Sequence, residues 1–198
     1  SFVRGRFEFE PSLHELASVG TEKAPDTVYK IFSELGAKVD WRYEHNMFRA
    51  IVRGENGYDV TMQSGIENFC DSMERAVPGC RASVRALFDL VKKNNEALAY
   101  ITKMKGKPNG LVMVLKHGDF MRVASHSVEE VMIALGMPEK ARNIICTYWG
   151  YLGVPTDELN AMHFLNMLNA YVIDGAAMPY LRSHELSLAL CKVIQDAG

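Results

Sequence analysis

The hydrophobic pattern of this chain changes period once, near Gln63, and that change limits its fold class. Before it, strand signals dominate. Residues 6–10 alternate polar and apolar side chains, the period of a half-buried strand, and Pro11 stops them. Val39, Trp41 and Tyr43 alternate in the same way. Residues 47–53 and 58–62 read as two strands around a turn at 54–57, where Asn56-Gly57 is a hairpin signal. Phe48, Ile51, Tyr58 and Val60 are expected to pack this unit. One helix interrupts the strands. Val28, Ile31, Phe32 and Leu35 stand at helical spacing, with Asp26 as the cap and Gly36 as the stop. Residues 21–25 form a turn-rich patch.

After Gln63 the spacing is helical. Ser64-Gly65-Ile66-Glu67 has the form of a capping box, and Pro78-Gly79 ends the helix it opens. A longer helix is predicted over 82–105, with Val84, Leu87, Phe88 and Val91 on one face and a weak point at Asn94-Asn95. Residues 111–115 are apolar and fit either element type, and 118–125 read as a loop. Ser127 to Glu130 is a second capping box, stopped by Gly136-Met137-Pro138. Pro138 suits the first turn of a helix that ends near 150–153. Further helices are expected from Thr156 to Ile173 and from Ser183 to Ala197. No linker or repeat interrupts the chain. The pattern predicts one α+β domain over residues 1–198: a small antiparallel sheet packed with a mostly helical half.

Composition narrows the function classes. With 48% hydrophobic residues and a net charge of 22 − 24 = −2, disorder and general nucleic-acid binding are disfavoured. No apolar run approaches the ~18 residues of a spanning helix, and the first residues lack the layout of a signal peptide. Cys70, Cys80, Cys146 and Cys191 include no C-x-x-C pair, so a reducing cytoplasm is the default. The 11 methionines suit an ordinary core first and an adaptable apolar site second.

Motifs that carry chemistry are absent. There is no G-x-G-x-x-G, no Walker loop and no G-x-S-x-G elbow. His14-Glu15 and His184-Glu185 begin like a zinc-protease helix, but neither has the second His four residues on, so no metal site is expected. His14, at a strand end, suits a backbone contact before a proton shuttle. Glu185 in the first turn of the last helix needs no function, because carboxylates favour helix N-termini. Met162, His163, Leu165, Met167 and Leu168 form a helix that is apolar almost all round, a core helix first and a cavity wall second. Tyr148, Trp149, Tyr151 and Leu152 form an aromatic cluster that suits core before interface.

The chain as a whole resembles the phytoene-desaturase-like branch of FAD-dependent oxidoreductases. The likeness begins at Gly5-Arg6-Phe7-Glu8-Phe9-Glu10-Pro11-Ser12-Leu13-His14, similar to a strand that follows the family's first FAD-binding unit. Residues 28–41, with Glu34-Leu35-Gly36 and Asp40-Trp41, resemble the next helix and strand. Residues 57–78 resemble the opening of the family's substrate domain, and 155–173 a later helix of it. Residues 175–183, followed by the helix to Gly198, are similar to the return crossing, with Arg182-Ser183 where the family has glycines.

The resemblance implies the substrate-binding or lid portion of an FAD-dependent oxidoreductase acting on an organic, apolar substrate. The FAD-binding Rossmann domain is absent from this chain and belongs to the rest of the same parent. The start at Ser1 rather than Met is what an excised segment would have. Glu10, Ser12, His14 and Arg182 are the residues expected to face flavin or substrate, and Met162, Phe164 and Met167 those expected to line an apolar substrate wall. No catalytic residue is assigned, and the isolated chain is expected to be inactive and not to hold FAD tightly. The resemblance also leaves room for peripheral attachment to a membrane from the cytoplasmic side. A stand-alone, non-catalytic binding module for an apolar ligand or a protein partner is the alternative.

Overall fold

A computed structural model describes residues 2–11 and 13–198. Its class is α+β: helices with several small antiparallel sheets. The chain forms two compact units, residues 1–47 with 170–198, and residues 48–169.

The first unit opens with a hairpin of β1 (Phe2–Arg4) and β2 (Phe7–Phe9), in which Phe2 pairs with Phe9. Their rings stack with centroids 5.1 Å apart. The alternation at 6–10 predicts one buried face, but every residue of both strands is exposed. β3 (Leu16–Ala17) follows, then a tight hairpin of β4 (Gly20–Thr21) and β5 (Ala24–Pro25). Gly20 has φ +89°, and a Cβ there would sit 2.3 Å from the Ala24 carbonyl oxygen, so this turn requires glycine.

Helix α1 (Thr27–Glu34) follows Asp26, whose side chain makes no capping bond and instead accepts from the Thr27 hydroxyl. The stop at Gly36, φ +73°, is as the spacing predicts, but the helix buries no residue: Val28 and Phe32 are half-buried, and Ile31 and Leu35 are exposed. β6 (Trp41–Tyr43) follows.

β7 (Asn46–Val52) and β8 (Tyr58–Gln63) form the hairpin predicted around Asn56-Gly57. Phe48, Tyr58 and Val60 are half-buried, whereas Ile51 is exposed and Ala50 and Met62 take the buried positions. Helix α2 (Ile66–Ala76) starts at Gly65, and the Glu67 carboxylate accepts from Arg85 and Arg81. Helix α3 (Arg81–Lys103) runs unbroken through Asn94-Asn95 and buries Val84, Leu87, Phe88 and Val91.

Asn109 caps α4 (Gly110–Lys116) by accepting from the Leu111 and Val112 amides. Residues 118–125 read as a loop, but α5 (Gly118–Val123) forms there because Phe120 and Val123 are buried. The Ser127 capping box is present at the head of α6 (Val128–Ala134), and Pro138 precedes α7 (Glu139–Ile145).

A 3-10 turn over Cys146–Tyr151 buries Tyr148 and leaves Trp149 and Tyr151 exposed. Helix α8 (Ala161–Leu168) starts later than Thr156, with Asn160 as its cap. The reason lies in the preceding turn: the carbonyls of Thr156 and Leu159 accept from Glu129 and Val128 at the head of α6.

The core of this second unit is a stack of edge-on rings. Phe69 meets Phe88 at 5.3 Å and Phe48 at 6.4 Å, and Phe48 meets Tyr148 at 4.9 Å. Met62, Met73 and Met132 are fully buried among the helices, so methionine here is chiefly core filler. A satellite cluster of Ala97, Met113 and Phe120 holds α4 and α5 against α3.

A π-helical turn over Asn169–Ile173 extends α8 and leads to β9 (Ala176–Pro179), the central strand of a three-stranded antiparallel sheet in order β3-β9-β6. Ala177 pairs with Leu16 on one side and Tyr43 on the other. Ala176, Ala177 and Pro179 are buried. Helix α9 (Arg182–Asp196) ends the chain.

Candidate functional site

The segment before β3 and the head of α9 meet in the first unit. Glu10, just past β2, accepts a hydrogen bond from the Ser183 amide at 2.9 Å and a longer one from the Leu13 amide at 3.4 Å. The Ser183 hydroxyl also bonds this carboxylate and is the main reason its pKa is held down at about 2, against the smaller opposing effect of burial. Arg182 donates from its guanidinium to the Glu8 carbonyl at 3.0 Å. Its backbone takes φ +63°, the left-handed conformation that glycine adopts at no cost and other residues avoid. So Arg182 occupies a glycine-type position, held there from both sides.

Glu185 works beside it. One carboxylate oxygen accepts from the Asp40 amide and the other from the Leu181 amide, each at 2.8 Å. This ties the approach to β6 to the first turn of α9. The helix is thus started by two carboxylates that cap backbone donors, Glu10 from outside and Glu185 from within. Ser183 spends its side chain on Glu10 and does not cap the helix.

Of the residues expected near flavin or substrate, Glu10 and Arg182 come together here. His14 is exposed in the loop before β3, and Ser12 lies outside the described residues. Met162, Phe164 and Met167 belong to the second unit. Phe164 and Met167 are buried in its core. Met162 is half-buried against the Ala97, Met113 and Phe120 cluster, and its carbonyl accepts from Asn94 at 3.4 Å.

Sequence reasoning did not single out Glu8, or give Ser183 and Glu185 these roles. An acid in the first helical turn was visible, but its long-range partner at Asp40 was not. Glu15, only 8% exposed, is a buried carboxylate whose charge, after burial itself, raises the pKa of Tyr171.

Each unit has a cleft of its own. In the first, Tyr29, Phe32, Lys38 and Trp41 line a cleft of about 300 Å³ between α1 and β6, with Phe32 and Trp41 edge to face at 6.0 Å. In the second, Cys146, Thr147, Trp149 and Thr156 line a cleft of about 600 Å³. Burial pushes the Cys146 thiol up to about 12, so it is no thiolate nucleophile at neutral pH. Among the described residues no three His, Cys, Asp or Glu side chains gather as a metal site, and no helix is long and apolar enough to cross a membrane.

No protein-family model and no curated protein matches the chain.

Proposed function

We propose that this chain is the substrate-binding portion of an FAD-dependent oxidoreductase of the phytoene-desaturase-like kind, acting on an organic, apolar substrate. The observation that carries the reading is the junction of Glu10 with Ser183 and of Arg182 with Glu8. These residues come from the two segments whose sequence carries the resemblance, 5–14 and 175–183, and in the proposed parent both run between the substrate and flavin domains. The left-handed backbone at Arg182 adds support, since the resemblance puts a glycine there.

The local chemistry defines what this portion can contribute. The Leu181 and Ser183 amides at the head of α9 are the donors that would suit a phosphate, and Glu185 and Glu10 already occupy them. The junction therefore does not fit a dinucleotide phosphate, and in this reading that site belongs to another part of the parent. Bound FAD would supply the hydride chemistry. This chain's residues would orient the two crossings and exclude water, with exposed Arg182 and His14 at the edge of the site.

Two measurements test the reading. The coding sequence on either side of the chain should contain a G-x-G-x-x-G after a strand signal upstream of Ser1; a start codon just before Ser1 with a stop just after Gly198 overturns it. The purified 198-residue chain mixed with FAD should show no stoichiometric flavin spectrum after desalting; retained flavin overturns the assignment of the phosphate site to the rest of the parent.

A further inference from the structure

We propose that the end of α3, residues 104–109 and α4 form a docking surface for an anionic lipid bilayer. The proposal does not rest on the flavoenzyme reading.

Charge is the first observation. Between Glu96 and Asp119 the sequence holds Lys103, Lys105, Lys107 and Lys116 and no acidic residue, in a chain whose net charge is −2. Among the described residues none of these four lysines makes an ion pair, whereas Lys93 and Arg122 at the margin both pair with Asp119, at 2.6 and 3.3 Å.

The second observation is that α4 turns apolar side chains outward. Met113 is buried beside Ala97 and Phe120, while Leu111, Val114 and Leu115 are 68%, 65% and 74% exposed. Two residues of helix amount to roughly 200° of rotation, so Leu111 and Leu115 point away from the core that Met113 enters. Met104, at the end of α3, is exposed as well.

This tip is held in place. The Tyr100 hydroxyl accepts from the Asn109 amide at 3.2 Å, and its ring stacks on His117 with centroids 5.3 Å apart. The apolar residues therefore sit on a braced frame and gain nothing from the protein's own packing. An apolar centre with a cationic rim, bordered on one side by Glu96 and by an Asp119 already paired with Lys93 and Arg122, matches a surface that is anionic at its edge and apolar beneath, which is the bilayer interface. A protein partner is the other class of occupant. Protein interfaces are depleted in lysine and favour aromatic and arginine anchors, which this tip lacks, so lipid is favoured.

The test is co-sedimentation of the purified chain with vesicles of phosphatidylcholine alone or mixed with phosphatidylserine. The mixed vesicles should capture the chain at low salt and release it at high salt, and the neutral ones should leave it in solution. The triple change Leu111→Ser, Val114→Ser and Leu115→Ser should weaken capture at least about tenfold with an unchanged circular dichroism spectrum. Lys105→Glu with Lys107→Glu should do the same, and decides the matter if the triple variant misfolds. No capture by mixed vesicles, or capture that neither variant weakens, overturns the proposal. So does a wild-type dimer that the triple variant abolishes without any vesicle binding, which would assign the tip to a second copy of the chain.

Discussion

Glu10 and Ser183 stand 173 residues apart in the chain and are joined twice, by the Ser183 amide at 2.9 Å and by its hydroxyl. This junction closes the first unit at its edge, while the pairing of β9 with β3 and β6 closes it at the centre. It also makes stability depend on acid. The Glu10 carboxyl has a folded pKa of about 2 against an ordinary 4.5, so the folded form binds the proton more weakly. The contribution is fully present above pH 4.5 and is lost as pH falls through 2. Glu10→Gln should lower stability at neutral pH by about 1–2 kcal/mol, a modest figure because the site is partly solvated. The gap in melting temperature between wild type and variant should shrink as pH drops from 4.5 toward 2. A gap that stays constant over that range would contradict the role given to the carboxylate.

Arg182 tests backbone against side chain. Its φ of +63° costs any residue with a Cβ, and its guanidinium recovers part of that cost at the Glu8 carbonyl. Arg182→Ala removes the bond and keeps the strain, so it should destabilise. Arg182→Gly removes both, so it should be more stable than the alanine variant by about 1 kcal/mol. Urea unfolding of the three proteins measures the difference. An alanine variant as stable as the glycine one would mean that the left-handed turn is not retained.

How far the sequence foretold this depends on the range of each interaction. The β7–β8 hairpin was legible because Asn56-Gly57 is a local turn signal between two alternating runs. The two capping boxes had the same spacing; Ser127 and Glu130 close theirs, while the other box's carboxylate, Glu67, is taken up by arginines. Glu67 was diverted by Arg85, 18 residues away, and local spacing carries no trace of such a partner. Helix α5 was missed for a related reason. Its six residues have little periodicity of their own, and they are helical because Phe120 and Val123 find a core to enter. In the candidate site the order was reversed. Glu10 and Arg182 were picked out by likeness to a family, while Ser183 as the partner of Glu10 and Glu185 as a second clamp emerged only from the pairing of distant segments.

Cysteine chemistry should be confined to one position. Cys70, Cys80 and Cys146 are buried and Cys191 is exposed on α9, with no disulfide among them. Burial raises the thiol pKa at Cys70, Cys80 and Cys146. A thiol reagent that consumes thiolate should therefore titrate Cys191 alone in the native protein and all four cysteines after denaturation. Fast native labelling of Cys146, located by peptide mapping, would mean that its cleft opens far enough to wet the sulfur.

Asn94 supplies the last prediction. It is 1% exposed in the middle of α3, its Nδ2 reaches the Met162 carbonyl at 3.4 Å, and its Oδ1 has no partner among the described residues. A buried acceptor without a donor loses its hydration and gains nothing, while a long amide bond returns little. Leucine has the same branching and the same number of side-chain heavy atoms, is somewhat larger, and has no polar atom to satisfy. Asn94→Leu should therefore stabilise the protein, by about 1 kcal/mol, as a higher midpoint in denaturant with an unchanged slope. Asn94→Ala also removes the orphan oxygen but leaves a cavity, so it should fall below the leucine variant by about 2 kcal/mol or more. A destabilised leucine variant would instead mean that the amide is held for a reason other than packing.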